Sequence, residues 1–347
     1  MRIGIVGLPL SGKTSFFHAL GSAGTRGSGA QIHLANVKVP DARLEWLRDL
    51  YKPKKYTPAT LDFLDIPGMA FEREAKEGAK EGPSTGSVLS QVRSVDTLAV
   101  VLDGFSEDAK PAEAFRNILS ELALADLTAI QGKIERAEKE LVKSIPNRDK
   151  IRAEIEILQK GVPALERNEA PTDSEFLRAA ASFALLMLKP VFPILNVAEK
   201  DLGKDRSAEI PPFHGQALCL CAKLEAELME MEEADRTEMM REYGLAELAL
   251  PRVIRRAYDR AGLISFFTVG EDEVRAWTIK KGDNAVTAAG KIHTDLARGF
   301  IRAEVVPYED FRALGSMKAV KEKGKLRLDG KEAVIHDGEI INVRFSV

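Results

Sequence analysis

The stretch Gly7-Leu8-Pro9-Leu10-Ser11-Gly12-Lys13-Thr14, running on into Ser15, decides the fold. It matches the pattern G-x-x-x-x-G-K-[ST]. Before it stands RIGIVG (2–7), an apolar run that reads as a buried strand; after it comes a helical stretch from Lys13 to Leu20. That strand–loop–helix order is the setting in which the pattern forms a phosphate cradle. The glycines let backbone N–H groups turn inward around phosphate oxygens, and the helix start adds the positive end of its dipole. Gly7, Leu10, Ser11, Gly12, Lys13, Thr14 and Ser15 are therefore the expected contacts to a nucleoside triphosphate. Lys13 is expected to bridge β- and γ-phosphate oxygens as a catalytic charge, and the Thr14 hydroxyl to hold Mg²⁺.

Outward from this loop, Asp65-Ile66-Pro67-Gly68 closes the strand-like run Thr60–Ile66 in the pattern D-x-x-G. Asp65 is expected to reach Mg²⁺ through water, and the Gly68 N–H to contact the γ-phosphate. Met69 follows, where many GTPases carry a glutamine that orients the attacking water; a thioether cannot do that. Asn196-Val197-Ala198-Glu199 ends another apolar run, where guanine-specific proteins carry N-K-x-D. That Asp accepts from the N1–H and N2–H₂ edge of guanine. With Val197 and Glu199 in its place, the pocket is expected to lose guanine preference. Cys221-Ala222-Lys223 stands where an S-A-K-like loop flanks the base, which adds Ala222 to the expected contacts.

With 347 residues, 45% hydrophobic and 30% charged, the chain has material for two or three domains. A net charge of −3 announces no nucleic-acid or membrane partner, so any such partner must be met by a local patch. The amino terminus runs straight into a strand without a basic, apolar, small-residue leader, and no apolar run approaches membrane-spanning length. Cys219 and Cys221, two apart in one apolar run, read as core thiols and fit a reducing, cytoplasmic setting. His18, His33, His214, His293 and His336 have no metal-site spacing.

Strand-like runs at Thr60–Ile66, Thr97–Leu102, Val191–Asn196 and Ala217–Cys221 alternate with helical stretches, which implies an α/β fold with a mostly parallel sheet. Residues 21–36 read as a loop. Apolar positions from Phe115 to Leu141 recur mostly every three or four residues and predict a long helix. Ser144-Ile145-Pro146-Asn147 interrupts them, and Ile151 to Leu165 restart the pattern, so an antiparallel coiled-coil hairpin is expected. From Leu263 the chain reads as a hairpin (264–269 and 274–279), a helix over Ala285–Phe300 and further strands, including Ala333–His336. This is a small α+β module of the ubiquitin-like sort, with Trp277 in its core. Arg312 to Lys331 carries seven basic and two acidic residues, a candidate for RNA contact.

These residues resemble the YchF branch of the Obg-type GTPases. The P-loop, DIPG (65–68) and NVAE (196–199) carry the resemblance, together with ELALADL (121–127), VRAWTI (274–279), AGKIHTD (289–295) and GFIRA (299–303). It spans nearly the whole chain. It implies a G domain over 1–111 and 181–262, a coiled-coil insertion over 112–180, and a terminal TGS domain with a β-grasp fold over 263–347. Members of that branch prefer ATP to GTP and associate with ribosomes. The sequence departs from the family pattern in three places. Leu10 replaces an Asn of the family P-loop, residues 24–36 lack the family's switch run with its magnesium-binding Thr (Thr25 and Ser28 are the candidates), and Arg73–Ser87 is rewritten. The expected protein is a monomeric, ribosome-associated, Mg²⁺-dependent NTPase preferring ATP over GTP. A nucleotide-stabilised scaffold with little hydrolysis and a true GTPase are the alternatives.

Overall fold

The computed structural model describes residues 1–21, 33–66, 85–142, 147–210 and 217–346. Its strands are β1 (Arg2–Val6), β2 (His33–Lys38), β3 (Lys55–Thr57), β4 (Thr60–Asp65), β5 (Thr97–Gly104), β6 (Val191–Val197), β7 (Leu218–Leu220), β8 (Leu263–Thr268), β9 (Glu273–Lys280), β10 (Phe300–Pro307), β11 (Arg327–Asp329) and β12 (Glu339–Phe345). By its internal contacts the chain separates into two compact units. Met1–Ala35 goes with Asp62–Val253, and Asn36–Leu61 goes with Ile254–Val347.

The sheet of the first unit has the order β2-β4-β1-β5-β6-β7. β1 lies between β4 and β5, parallel to both, with Ile5 opposite Asp65 and Val6 opposite Val100. β5, β6 and β7 continue in parallel. The apolar runs become strands because both faces are covered. On one face Val6, Leu64, Val100 and Leu195 pack with Phe115, Ile118 and Leu122 of the long helix. The carboxyl ends of β1, β4 and β6 converge, which is where open parallel sheets bind ligands.

The long helix spans Pro111–Val142, 32 residues, and packs Ile130, Ile134 and Ala137 against Ile155 and Leu158 of the helix Arg148–Gln159. Lys133 and Glu154 join the two helices at 3.1 Å. The second arm does not run unbroken to Leu165. It stops at Lys160 and restarts at Val162, where Pro163 has no N–H to continue the ladder. Phe176 fills the space above Gly161, where a Cβ would lie 2.3 Å from the ring. Asp126, with its side chain wholly buried, anchors the middle of the long helix. It pairs with Arg93 at 3.0 Å and accepts from the Met187 N–H at 2.9 Å.

In the second unit the sheet order is β11-β10-β12-β8-β9-β3. β8 and β9 form the expected antiparallel hairpin, β12 runs parallel to β8, and β10 pairs antiparallel with β12. Ala285, Ala288 and Ala289 bring a helix close over Ile264, Phe266, Val305 and Ile341, which gives the β-grasp core. Trp277 packs at the border of this core and donates to the Thr268 hydroxyl at 2.9 Å.

Local expectations change at three places, 285–300, 333–336 and 33–36. The helix expected over Ala285–Phe300 breaks at His293, whose backbone is extended and whose Nδ1 accepts from the Asp295 N–H; it thereby caps a separate helix, Thr294–Arg298. Ala333–His336 forms no strand and contributes a single bridge, Val334 to Asn284. The run Arg312–Lys331 holds the helix Met317–Glu322 and β11, and within it Lys325 pairs with Asp310 and Arg327 with Asp329 and Glu339. The expected loop at 21–36 falls partly on undescribed residues, and its end is strand β2. Among the described residues no helix is long and apolar enough to cross a membrane.

Candidate nucleotide site

The P-loop leaves β1 at Val6 and enters the helix Lys13–Ala19. Its glycines are required by space as well as by conformation. A Cβ on Gly7 would lie 2.6 Å from the Val101 carbonyl oxygen and 2.7 Å from Ser11 Oγ. Gly12 has φ +83°, and a Cβ there would lie 2.0 Å from Asn196 Nδ2. Leu10 also sits in the left-handed region, φ 64°, with its side chain 92% exposed. Asn tolerates that conformation better than Leu, so the apolar residue is carried here at a local conformational cost.

Lys13 Nζ donates to the Ile66 carbonyl, at the end of β4, at 2.6 Å. Burial holds its pKa below the usual lysine value, with the Asp65 carboxylate acting in the opposite direction. Thr14 is exposed on the first helical turn. The arrangement therefore brings Lys13, Thr14 and Asp65 to one end of the sheet. An alcohol and a carboxylate are hard oxygen donors of the kind Mg²⁺ takes, so the residues fit that ion. Gly68, Met69, Thr25, Ser28, His214 and residues 73–84 lie outside the described residues.

Asn196 closes the other side. Its Nδ2 donates to the Ser11 carbonyl at 3.1 Å, and its Oδ1 accepts from the Ala222 N–H at 2.9 Å. Both ends of the amide are thus used to clasp the P-loop to the β7 loop. Val197 is 2% exposed and its side chain packs in the core, while the residue also lines the cavity beyond Asn196.

Beyond Asn196, a cavity of about 390 Å³ is lined by Gly12, Ser15, Phe105, Asn196, Glu199, Cys221 and Lys223, among others. Phe105 was not apparent as a site residue in the sequence. It is 41% exposed at the end of β5, where the Asp103 carboxylate accepts from the Phe105 and Ser106 N–H groups at 2.9 and 3.1 Å. An acidic residue two places before an exposed aromatic, just past an apolar strand, is the signal that could have found it. Cys219 and Cys221 are free thiols whose pKa values burial pushes up. A larger cavity, about 830 Å³, lies within the second unit beside Arg43, Asp41 and Asp337. It carries no phosphate-binding loop, so chemistry rather than size places the nucleotide site.

A family model, YchF-GTPase_C, described as a protein of unknown function (DUF933), matches residues 263–346. The chain is 37% identical to the ribosome-binding ATPase YchF of Bacillus subtilis (strain 168), with 100% of both chains covered. It is 35% identical to the protein of that name from Escherichia coli O157:H7, covering 100% of this chain and 99% of the other. Obg-like ATPase 1 of Oryza sativa subsp. japonica is 34% identical over 100% of this chain and 92% of its own. The solved Schizosaccharomyces pombe YchF GTPase superposes with a TM-score of 0.83 at 29% identity, covering 99% of this chain and 97% of that one. Full-length identity above one third, on a shared fold, makes this chain a member of the YchF family.

Proposed function

We propose that this chain binds a magnesium–nucleoside triphosphate at Gly7–Ser15 and hydrolyses it, preferring ATP to GTP, as a cytoplasmic, monomeric, ribosome-associated switch. The observation that carries the reading is the P-loop geometry, a cradle whose glycines leave no room for a Cβ, with Lys13 Nζ at the Ile66 carbonyl beside it. The names of the full-length relatives, ribosome-binding ATPases, support the activity and the partner. In organisation, the G domain covers 1–111 and 181–262, the coiled-coil arm 112–180 and the TGS domain 263–347. The arm and the TGS domain are the surfaces for the ribosome.

In this reading Lys13 exchanges the Ile66 carbonyl for β- and γ-phosphate oxygens and stabilises the charge that develops there. Thr14 and Asp65 would hold Mg²⁺, which supplies further neutralisation of phosphate charge when bound. Asn196 keeps Ser11 and Gly12 in place. The purine enters the cavity between Phe105 and Lys223, and Glu199, longer by a methylene than the Asp of guanine-specific sites, meets its polar edge.

ATP and GTP affinities measured side by side with magnesium test the reading, together with turnover by Lys13→Ala. The expected results are tighter ATP binding, loss of binding with EDTA, and a fall in turnover on the order of 10²-fold or more for Lys13→Ala. Tight ATP binding without turnover, even with ribosomes, would make the protein a nucleotide-stabilised scaffold instead. Met69, which cannot orient water, is the residue that favours that second reading. Because Val197 is buried, Glu199→Asp alone is the cleaner probe of base choice, and it should move preference towards GTP.

A further inference from the structure

The Glu199 carboxylate is held on both oxygens, by Lys223 of the S-A-K-like loop and by Tyr243, which none of the nucleotide motifs includes. Tyr243 donates its hydroxyl to Glu199 Oε2 at 3.1 Å from 44 residues away, and Lys223 Nζ lies 3.5 Å from Oε1. Glu199 and Lys223 line the base cavity, whereas Tyr243 is not among its lining residues and reaches the carboxylate from outside. The hydrogen bond to Glu199 raises the Tyr243 phenol pKa.

Tyr243 is 38% exposed, but the helix end that carries it is fixed. The helix Glu233–Glu242 packs Met239 and Met240 into a cluster with Leu224 and Leu228 of the helix Ala222–Glu230. Arg236 joins the two helices by donating to the Leu228 and Met231 carbonyls at 3.0 and 2.9 Å. Just past Tyr243, Gly244 turns left-handed at φ 66°, and the Leu245 N–H returns to the Met240 carbonyl at 2.8 Å. This glycine-terminated stop fixes the last turn. The phenol is therefore presented to Glu199 by a packed helix end.

We propose that Tyr243 is a positioning residue for base selection, acting through Glu199, with Lys223 as its counterpart on the second oxygen. The inference rests on the nucleotide-site reading above. Guanine offers N1–H and N2–H₂ together and needs both oxygens of one carboxylate in its plane. A carboxylate already engaged on both oxygens, and turned to suit Tyr243 and Lys223, meets that need poorly. Adenine asks for a single acceptor at its N6 amine and for none at N1, so it tolerates the tethered carboxylate. A site whose polar groups are committed elsewhere rejects the ligand that requires them.

The test is equilibrium titration of the full chain with ATP, GTP and inosine triphosphate, for the wild type, Tyr243→Phe and Lys223→Met. Tyr243→Phe keeps the ring and removes only the hydroxyl. It should shift the GTP-to-ATP affinity ratio towards GTP by about five- to tenfold, as expected for one freed hydrogen-bonding position. The shift for inosine triphosphate, which lacks the N2 amine, should be smaller. Lys223→Met frees the other oxygen and carries the same expectation in a separately folded protein. A merely structural role would lower both affinities and leave the ratio in place. A wild type that prefers ATP, with a ratio unmoved in both variants, overturns this inference alone. A wild type that prefers GTP, or binds neither nucleotide, overturns the base-pocket reading and this inference with it.

Discussion

Asn196 and Ser11, 185 residues apart in the chain, are joined by a buried hydrogen bond of 3.1 Å from the Asn196 amide to the Ser11 carbonyl. The other end of the same amide accepts from Ala222. This residue stands where guanine-specific proteins carry the Asn of N-K-x-D, and here its amide is a clamp between the P-loop and the β7 loop.

Asn196→Ala leaves the Ser11 carbonyl and the Ala222 N–H without their partner in a buried place, which costs about 1–3 kcal/mol. Thermal melts should show that loss, and nucleotide titration should show weaker binding. Gly12→Ala should be worse, because it adds a left-handed Cβ 2.0 Å from the Asn196 amide. A melting temperature unchanged in Asn196→Ala would mean that the clamp contributes nothing to the fold.

Arg93 and Asp126 make the second prediction. Arg93 donates to the Phe183 carbonyl at 2.8 Å as well as to Asp126. Burial pushes the Asp126 pKa up, while the Met187 and Leu186 backbone and the Arg93 charge pull it down. Arg93→Met removes the compensating cation and strands a buried carboxylate, at about 3 kcal/mol. Denaturant unfolding measures this, and the companion Arg93→Met/Asp126→Leu should recover part of the loss. If the double variant is no better than the single, the stranded charge is not the cause.

Gly161 lies under Phe176, which is fully buried. Its backbone is right-handed, φ −86°, so the objection to a side chain is purely steric. Gly161→Ala should cost about 1–3 kcal/mol by overpacking. Gly161→Ala/Phe176→Leu should relieve that clash while losing ring contacts, and a comparison of the two by chemical denaturation separates the terms.

The last prediction concerns acid. The Thr57 hydroxyl donates to Glu273 at 2.6 Å, with Lys55 at 3.1 Å, and these bonds hold its carboxyl below the usual glutamate value. A carboxylate with a lowered folded pKa contributes stability that is present above the unfolded value, about 4.3, and disappears as pH falls through the folded one. Melting curves of Glu273→Gln should therefore be lower than wild type near neutrality, and the gap should narrow towards pH 3. A gap that is constant with pH would show that the charge is not what matters.

Much of the site was legible in the sequence because its signals are local. The P-loop is eight consecutive residues, and its glycines are needed where the backbone turns left or where a Cβ meets the next strand. The strands β1, β5 and β6 announced themselves as apolar runs because the sheet is covered on both faces. β2 was missed although Ala35, Val37 and Val39 alternate with exposed Leu34 and Lys38, a period of two hidden behind a polar loop composition. β3, three residues paired with β9, is too short to carry a pattern.

The sequence by itself determined that a phosphate loop follows a buried strand, that a long amphipathic helix interrupts the sheet, and that the guanine code is broken at Val197 and Glu199. Each of those is written in neighbouring residues, through backbone geometry or helical period. Only the tertiary structure decided what the side chains of that code do. Asn196 faces the P-loop, Val197 enters the core, and Glu199 is gripped by Lys223 and Tyr243. Those orientations depend on hydrogen bonds from segments tens to nearly two hundred residues away, and no local pattern encodes a partner at that distance.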